Sequence, residues 1–266
     1  MSILNTPSAD HIPGPFAWVE IAGGAGTMKM DEPSVTLTVP SETYWMSKYP
    51  ITNAQYAKFV DAGGYRDRRW WTDAGWEAKR KDWAWNGRDW VETDTPWTQP
   101  AYWQDAKWNG SDHPVVGVSW YEAVAFCLWL SDDLGESIML PTEAQWQYAA
   151  QGTDGRTYPW GDEWDAARCN TSESGLGKTT PVRQYEGRGD SPFGVVDLAG
   201  NVWEWCLTDY EKNTNDVLSP ATRRVLRGGA WFNILVGARA AFRSNFPSNL
   251  RYYFIGFRVV MRPASL

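Results

Sequence analysis

Arg227-Gly228-Gly229-Ala230-Trp231 and Ile255-Gly256-Phe257-Arg258 frame the stretch Phe232 to Phe254, and the contrast between frame and contents decides how the chain is read. The 23 enclosed residues hold four Phe, two Tyr, an Ile, a Val and two Leu among Asn, Ser, Arg and Ala. They include no Trp, Met, Lys, Glu or Gln. Those five types supply 53 of the 266 residues, so a random stretch of this length holds about four or five of them. The runs Ile234-Leu235-Val236 and Tyr252-Tyr253-Phe254 break the strict alternation of a strand with one buried face. Aromatic and branched side chains on an ordered frame offer contact area with little side-chain entropy to lose. The stretch therefore reads as a binding surface, not a catalytic centre.

Working outward, 43% hydrophobic and 21% charged residues give the chain a globular composition. No apolar run reaches membrane-spanning length, and Met1 to Pro15 lacks the basic start and apolar core of a secretory signal. No membrane partner is expected, and the default location is cytoplasmic. Cys127, Cys169 and Cys206 are far apart and match no zinc spacing, so they read as buried small hydrophobes in a reducing compartment. Two histidines, His11 and His113, cannot build a histidine-rich metal site. The net charge of -7 conceals an asymmetry: the first 216 residues carry 17 basic and 32 acidic side chains, and eight arginines with no acid follow. Those arginines are scattered, so internal pairing is expected and nucleic acid is not.

Three helices are announced by Ser/Thr-x-x-Glu/Gln capping boxes. Thr52 with Gln55 starts one that stops at Gly63, Ser119 with Glu122 one that stops at Gly135, and Thr142 with Gln145 one that stops at Gly152. Short strands are expected at Phe16 to Ile21, Val35 to Val39, Tyr44 to Met46, Val225 to Leu226 and Gly256 to Val260. Residues 66–112 are turn-rich and carry nine tryptophans from Trp70 to Trp108. Without a repeat or linker, the organisation expected is an N-terminal tail, 1–15, and one domain, 16–266, with a Trp-rich insertion at 66–112 and a C-terminal variable region at 231–258. Most tryptophans should be structural, with a few in the insertion left to rim a ligand groove. Gly175-Leu-Gly-Lys-Thr179 lacks the earlier glycine and leading strand of a phosphate loop, and it reads as a turn.

Several ordered motifs carry a resemblance over nearly the whole chain. Met46-Ser-Lys-Tyr-Pro-Ile-Thr-Asn-Ala-Gln-Tyr56, Pro114-Val-Val-Gly-Val-Ser-Trp-Tyr-Glu-Ala123, Leu140-Pro-Thr-Glu-Ala-Gln-Trp146, Tyr158-Pro-Trp-Gly161, Asp197-Leu-Ala-Gly-Asn-Val-Trp-Glu-Trp205 and the Arg227-to-Arg258 frame resemble the formylglycine-generating enzyme (sulfatase-modifying factor) family. The resemblance implies an α+β fold of the irregular C-type lectin type, with a small antiparallel sheet, few helices and much coil. The enzymes of that family oxidise a substrate cysteine with two copper-holding cysteines after the Gly-Gly-Ser/Ala motif. Here that region has no cysteine, and Asn233 stands where the first should be. The sister ergothioneine-type sulfoxide synthases need three histidines for iron. Neither copper nor iron is therefore expected, and no catalytic residue is assigned.

The terminal stretch instead resembles the variable region of proteins diversified by retroelements, which randomise adenines in Asn codons of the form AAC. The amino acids such codons cannot reach are Trp, Met, Lys, Glu and Gln. The resemblance implies that Phe232, Ile234, Leu235, Val236, Phe242, Ser244, Phe246, Ser248, Leu250, Tyr252, Tyr253 and Phe254 vary and bind ligand. Asn233, Asn245 and Asn249 would be unmutated template residues, and Arg239, Arg243, Arg251 and Arg258 scaffold. It also implies a structural calcium ion held by the Asp197 and Glu204 carboxylates with the Gly200 and Val202 carbonyls, against the alternative that these acids cap backbone or pair with arginine. A second such site near Asn170 and Thr171 is less well matched, because Ser174 falls where an acid belongs. The expectation is a non-enzymatic protein that binds an unknown ligand, a protein in the first instance. The alternatives are an oxidase of the family type and a lectin-like carbohydrate-binding domain.

Overall fold

The three capping boxes form as the sequence spacing demands. In each, the Thr52, Ser119 or Thr142 hydroxyl accepts the N–H three residues on, and the Gln55, Glu122 or Gln145 side chain returns to the cap's own N–H. They open α1 (Asn53–Asp61), α3 (Trp120–Leu134) and α4 (Glu143–Gln151), and α2 (Asp73–Ala78) lies between the first two. Gly135 ends α3 in the left-handed conformation that glycine adopts without a Cβ clash. The computed structural model describes residues 11–85, 88–218 and 223–262, so most of the expected N-terminal tail lies outside the described residues.

Twelve short strands follow in chain order: β1 (Trp18–Ile21), β2 (Thr27–Lys29), β3 (Thr36–Thr38), β4 (Tyr44–Ser47), β5 (Asp82–Trp85), β6 (Trp90–Thr93), β7 (Ser137–Met139), β8 (Trp203–Asp209), β9 (Arg223–Arg227), β10 (Arg243–Pro247), β11 (Ile255–Gly256) and β12 (Val260–Arg262). They form two four-stranded sheets, ordered β1-β4-β12-β7 and β10-β9-β8-β11, and the two-stranded ladders β2-β3 and β5-β6. The expected α+β architecture with few helices and much coil is what the chain adopts. Two details differ from the single small antiparallel sheet expected. There are two principal sheets, and β11 runs parallel to β8.

The expected strand from Gly256 to Val260 is broken. β11 ends at Gly256, and the chain re-enters as β12 in the other sheet after Phe257, Arg258 and Val259, all fully buried. β8 was missed because every one of its residues is buried, which removes the two-residue alternation that marks a half-exposed strand.

The largest core cluster joins α1, α3 and both sheets, and Trp70, Trp71 and Trp97 of the Trp-rich stretch belong to it. Trp108 is also buried, and Trp76 and Trp103 are half-buried, so the expected exposed tryptophan rim does not form among the described side chains. The indoles supply the apolar area that short elements cannot. Among the described residues no helix is long and apolar enough to cross a membrane.

Candidate binding surface and loop site

The framed stretch leaves β9 through Gly228 and Gly229, both at positive φ, where an added Cβ on Gly229 would strike the Gly237 carbonyl. It then makes a 3-10 turn over Leu235–Ala238, pairs as the edge strand β10 against β9, and crosses to β11 at the opposite edge of the same sheet. Within β10 the period of two puts Ser244 and Phe246 on one face, with Phe242 just before the strand, and Arg243 and Asn245 on the other.

Of the twelve positions expected to vary, Phe232 and Ile234 are exposed. Leu235, Val236, Phe242, Ser244, Phe246, Leu250, Tyr252, Tyr253 and Phe254 are half-buried. The half-burial of the aromatic ones comes from contact with one another and from the main core cluster, on which Phe242, Phe246, Tyr252 and Phe254 pack. Phe232 meets Phe254 edge-on at 4.9 Å, Phe254 stacks on Tyr252 at 5.1 Å, and Phe246 closes on both at 5.6 and 6.1 Å. Phe242 packs on Trp203 at 6.1 Å. Ile234, Leu235 and Val236 sit apart on the 3-10 turn, where Glu173 accepts the Leu235 N–H at 3.0 Å.

Ser248 is the correction. It is 3% exposed, its carbonyl accepts the Trp120 N–H, and its hydroxyl interacts with Tyr121, so it is a packing residue below the surface. Asn233 is likewise structural, with its side-chain oxygen accepting the Ala230 N–H at 2.8 Å.

Residues from outside the stretch pack against these rings from beside and beneath. Trp108 stacks on Tyr253 at 5.1 Å, Tyr102 meets the same ring edge-on at 5.6 Å, and the frame residue Trp231 packs on Phe232 at 5.2 Å. Adjacency to Phe232 could have flagged Trp231. Tyr102 and Trp108 lie more than a hundred residues away, and no local pattern marks them.

Beneath this surface the arginines are clamped to buried glutamates. Arg258 donates to both oxygens of Glu204 at 2.6 and 2.8 Å, and Arg251 to both of Glu122 at 3.0 and 3.2 Å. Glu143 takes Arg243 at 2.9 and 3.0 Å and Arg227 at 3.1 Å. The five side chains other than Arg243 and Arg251 are at most 1% exposed, and those two are at 4% and 6%. Arg239 is the looser one, 3.7 Å from Asp31. Arg227, Arg239, Arg243, Arg251 and Arg258 thus pair with acids of the same chain.

In the Asp197–Glu204 loop, Asp197 and Asn201 hold positive φ and the Asn201 amide donates to Asp197 at 2.6 Å. Glu204 also accepts the Trp146 indole N–H at 2.7 Å. Burial pushes the Asp197 carboxyl up to about 8, with the Asn201 amide and Arg258 acting against it and Glu204 adding to it. The donors are all oxygen, as a hard cation requires, but a bound cation would have to displace the Asp197 proton and share Glu204 with Arg258. The pairing of Glu204 with Arg258 is the arginine alternative weighed for this acid. Among the described residues no cluster of three or more acidic, histidine or cysteine side chains forms.

Cys127, Cys169 and Cys206 are buried and unpaired. Burial raises each thiol, that of Cys169 to about 12, which opposes formation of the thiolate that copper or a nucleophilic step needs.

Residues 10–263 match the sulfatase-modifying factor enzyme 1-like domain, nearly the full chain. The chain belongs to this family. Among its relatives in the sulfatase-modifying factor family, the formylglycine-generating enzyme of Thermomonospora curvata is 34% identical over 247 residues, covering 79% of this chain and 77% of that one. The inactive C-alpha-formylglycine-generating enzyme 2 of Mus musculus is 30% identical over 254 residues, covering 84% and 76%. The fold is also that of variable protein 1 from Treponema denticola, with a TM-score of 0.64, 22% identity and coverage of 93% of this chain and 95% of that one.

Proposed function

We propose that this member of the sulfatase-modifying factor family is a non-enzymatic binding protein, diversified by a retroelement, whose protein ligand is recognised by the surface around Phe232 to Phe254. One observation carries the reading: the varied positions are anchored through their main chain, and the fixed positions through their side chains. Gly117 and Trp203 donate N–H groups to the carbonyls of Tyr252 and Phe254 at 3.0 and 2.9 Å, Gly237 donates to that of Ile234 at 2.9 Å, and Ser244 and Phe246 sit in the β10–β9 ladder. Bonds of this kind survive a change of side chain. The Arg243, Arg251 and Arg258 clamps do not.

The test is a displayed library. Random substitution at the eleven surface positions other than Ser248 should leave most variants folded, as read by cooperative thermal unfolding. The same substitution at Arg243, Arg251 and Arg258 should unfold nearly all. Equal intolerance at both sets sinks the reading, as does an encoding DNA without a near-copy repeat that differs at adenines.

The family match with the Thermomonospora curvata enzyme favours a second reading, an oxidase acting on a cysteine peptide. Copper binding together with aldehyde formation on such a peptide would establish it against the binding-only proposal. The buried, high-pKa thiols and the half-buried ring cluster support the first.

The Asp197 and Glu204 carboxylates with the Gly200 and Val202 carbonyls are further proposed to hold one calcium ion in a structural role. Millimolar calcium should raise Tm relative to EGTA, with the increment lost in Asp197→Asn. An unchanged Tm removes the ion from the proposal.

A further inference from the structure

A cleft of about 790 Å³ opens between the Gly24–Asp31 segment and the turn that follows α4, with Arg239 and Ala241 also in its wall. None of the twelve positions expected to vary lines it. We propose that this cleft is a small-molecule site for an organic carboxylate with a short apolar body. Its volume suits such a ligand, since small-molecule sites run from about 300 to 1,000 Å³.

Two groups in the wall have hydrogen-bonding or ionic capacity that the protein leaves unused. Tyr148, on α4, is 3% exposed and packs its ring on Phe193 at 5.4 Å, yet its hydroxyl makes no hydrogen bond among the described residues. A phenol seated so deeply ordinarily finds a partner. A Cβ on Gly24 would come within 2.7 Å of that oxygen, so a glycine at 24 is what leaves the hydroxyl uncovered. The second group is the ammonium of Lys29 in β2. Gln147, the neighbour of Tyr148, donates to the Lys29 carbonyl at 2.9 Å and so holds this residue against α4. Lys29 is exposed, and among the described residues no acidic side chain pairs with it.

The other charges of the wall are matched. Asp154 takes Arg156 at 2.6, 3.0 and 3.2 Å, and Asp31 stands 3.7 Å from Arg239. The excess is one positive charge, with one unused hydroxyl in the same wall. A carboxylate supplies one negative charge and two oxygens, one for each donor. A phosphate ester, with roughly 1.5 to 2 negative charges near pH 7, would bring surplus charge close to Asp31 and Asp154. A cation would meet Lys29 with nothing to offset it. Met28, Met30 and Val39 also line the cleft, and they give the rest of the ligand apolar surface to cover.

The site does not depend on how residues 232–254 are read. Should that stretch vary as proposed, every variant would keep the same carboxylate site, because fixed positions build it.

The experiment is a titration of the full chain with hexanoate, followed by amide chemical-shift changes. Hexan-1-ol is the uncharged control and inorganic phosphate the more highly charged one. Hexanoate should bind with Kd on the order of 1 mM, shifting residues 24–31 and 148–157, and both controls should bind at least about tenfold more weakly. Lys29→Met and Tyr148→Phe should each weaken hexanoate by about tenfold. Tyr148→Phe deletes a hydroxyl that no protein group uses, so its Tm should match wild type, and Lys29→Met, at an exposed position, serves if the first variant does not fold.

Absence of saturable binding, equal binding of either control, shifts confined to residues outside the cleft, or unchanged hexanoate affinity in a folded variant overturns the proposal. None of these outcomes bears on whether residues 232–254 tolerate random substitution, so the two readings fail separately.

Discussion

Glu122 concentrates three demands on one carboxylate. It accepts the Ser119 N–H at 2.8 Å as half of a capping box, takes the Tyr65 hydroxyl at 2.5 Å, and clamps Arg251. Glu122→Ala leaves Arg251 nearly buried without its principal counter-charge, which should cost about 3–5 kcal/mol in urea unfolding. A loss below about 1 kcal/mol would mean that Asp82 alone suffices for the guanidinium. The contrast is Ile234→Asp, at a position 60% exposed, which should change the unfolding free energy by no more than about 0.5 kcal/mol. A change several times larger would show that the 3-10 turn depends on that side chain. At this scale the sequence marked the arginines as scaffold but could not name their glutamate partners, which lie 54 to 129 residues away. It also could not see that Ser248, unlike Ser244, turns toward Tyr121.

Helix α3 shows what local spacing specifies. Ser119, Glu122 and Gly135 set its two ends without reference to the rest of the chain, because capping satisfies backbone groups within one turn. Ser119→Ala should cost about 1 kcal/mol in thermal or urea unfolding, and an unchanged midpoint would show that the Glu122 bond to the backbone carries the cap alone. The strands were less legible for an equally local reason. β8 is buried on both faces and shows no alternation, and β5 and β6 lie in a stretch whose glycines and aspartates read as turns. The shift of the chain between sheets at Phe257–Val259 is decided by which neighbours are present, not by the three residues themselves.

Across the whole molecule, Glu186 ties the loop near residue 186 to the end of β4. Lys48 donates to it at 2.8 Å, as does Tyr49, and Arg183 donates at 2.7 Å. These contacts, that of Lys48 foremost, lower its carboxyl from the ordinary range to about 2. A group whose pKa is depressed on folding contributes stability above its unfolded pKa and loses it as pH falls through the folded value. Wild type should therefore lose stability between about pH 4.5 and pH 2 more steeply than Glu186→Gln, and parallel acid profiles would refute the contribution. The candidate site was legible at the same scale only in part. Phe232, Phe246, Tyr252, Tyr253 and Phe254 are in ring contact with one another, but Tyr102, Trp108 and Asp82 come near them through the fold alone.

The stretch begins at the end of β9 and finishes in β11, two strands across one sheet and so about 10 Å away. With both ends pinned and β10 paired between Arg243 and Pro247, an inserted or deleted residue before β10 would turn Phe242, Ser244 and Phe246 to the side of the Glu143 clamp and bring Arg243 out. Diversification of the kind proposed can thus rewrite the letters of this surface but must keep their number, so related chains should differ here by replacement and almost never by length.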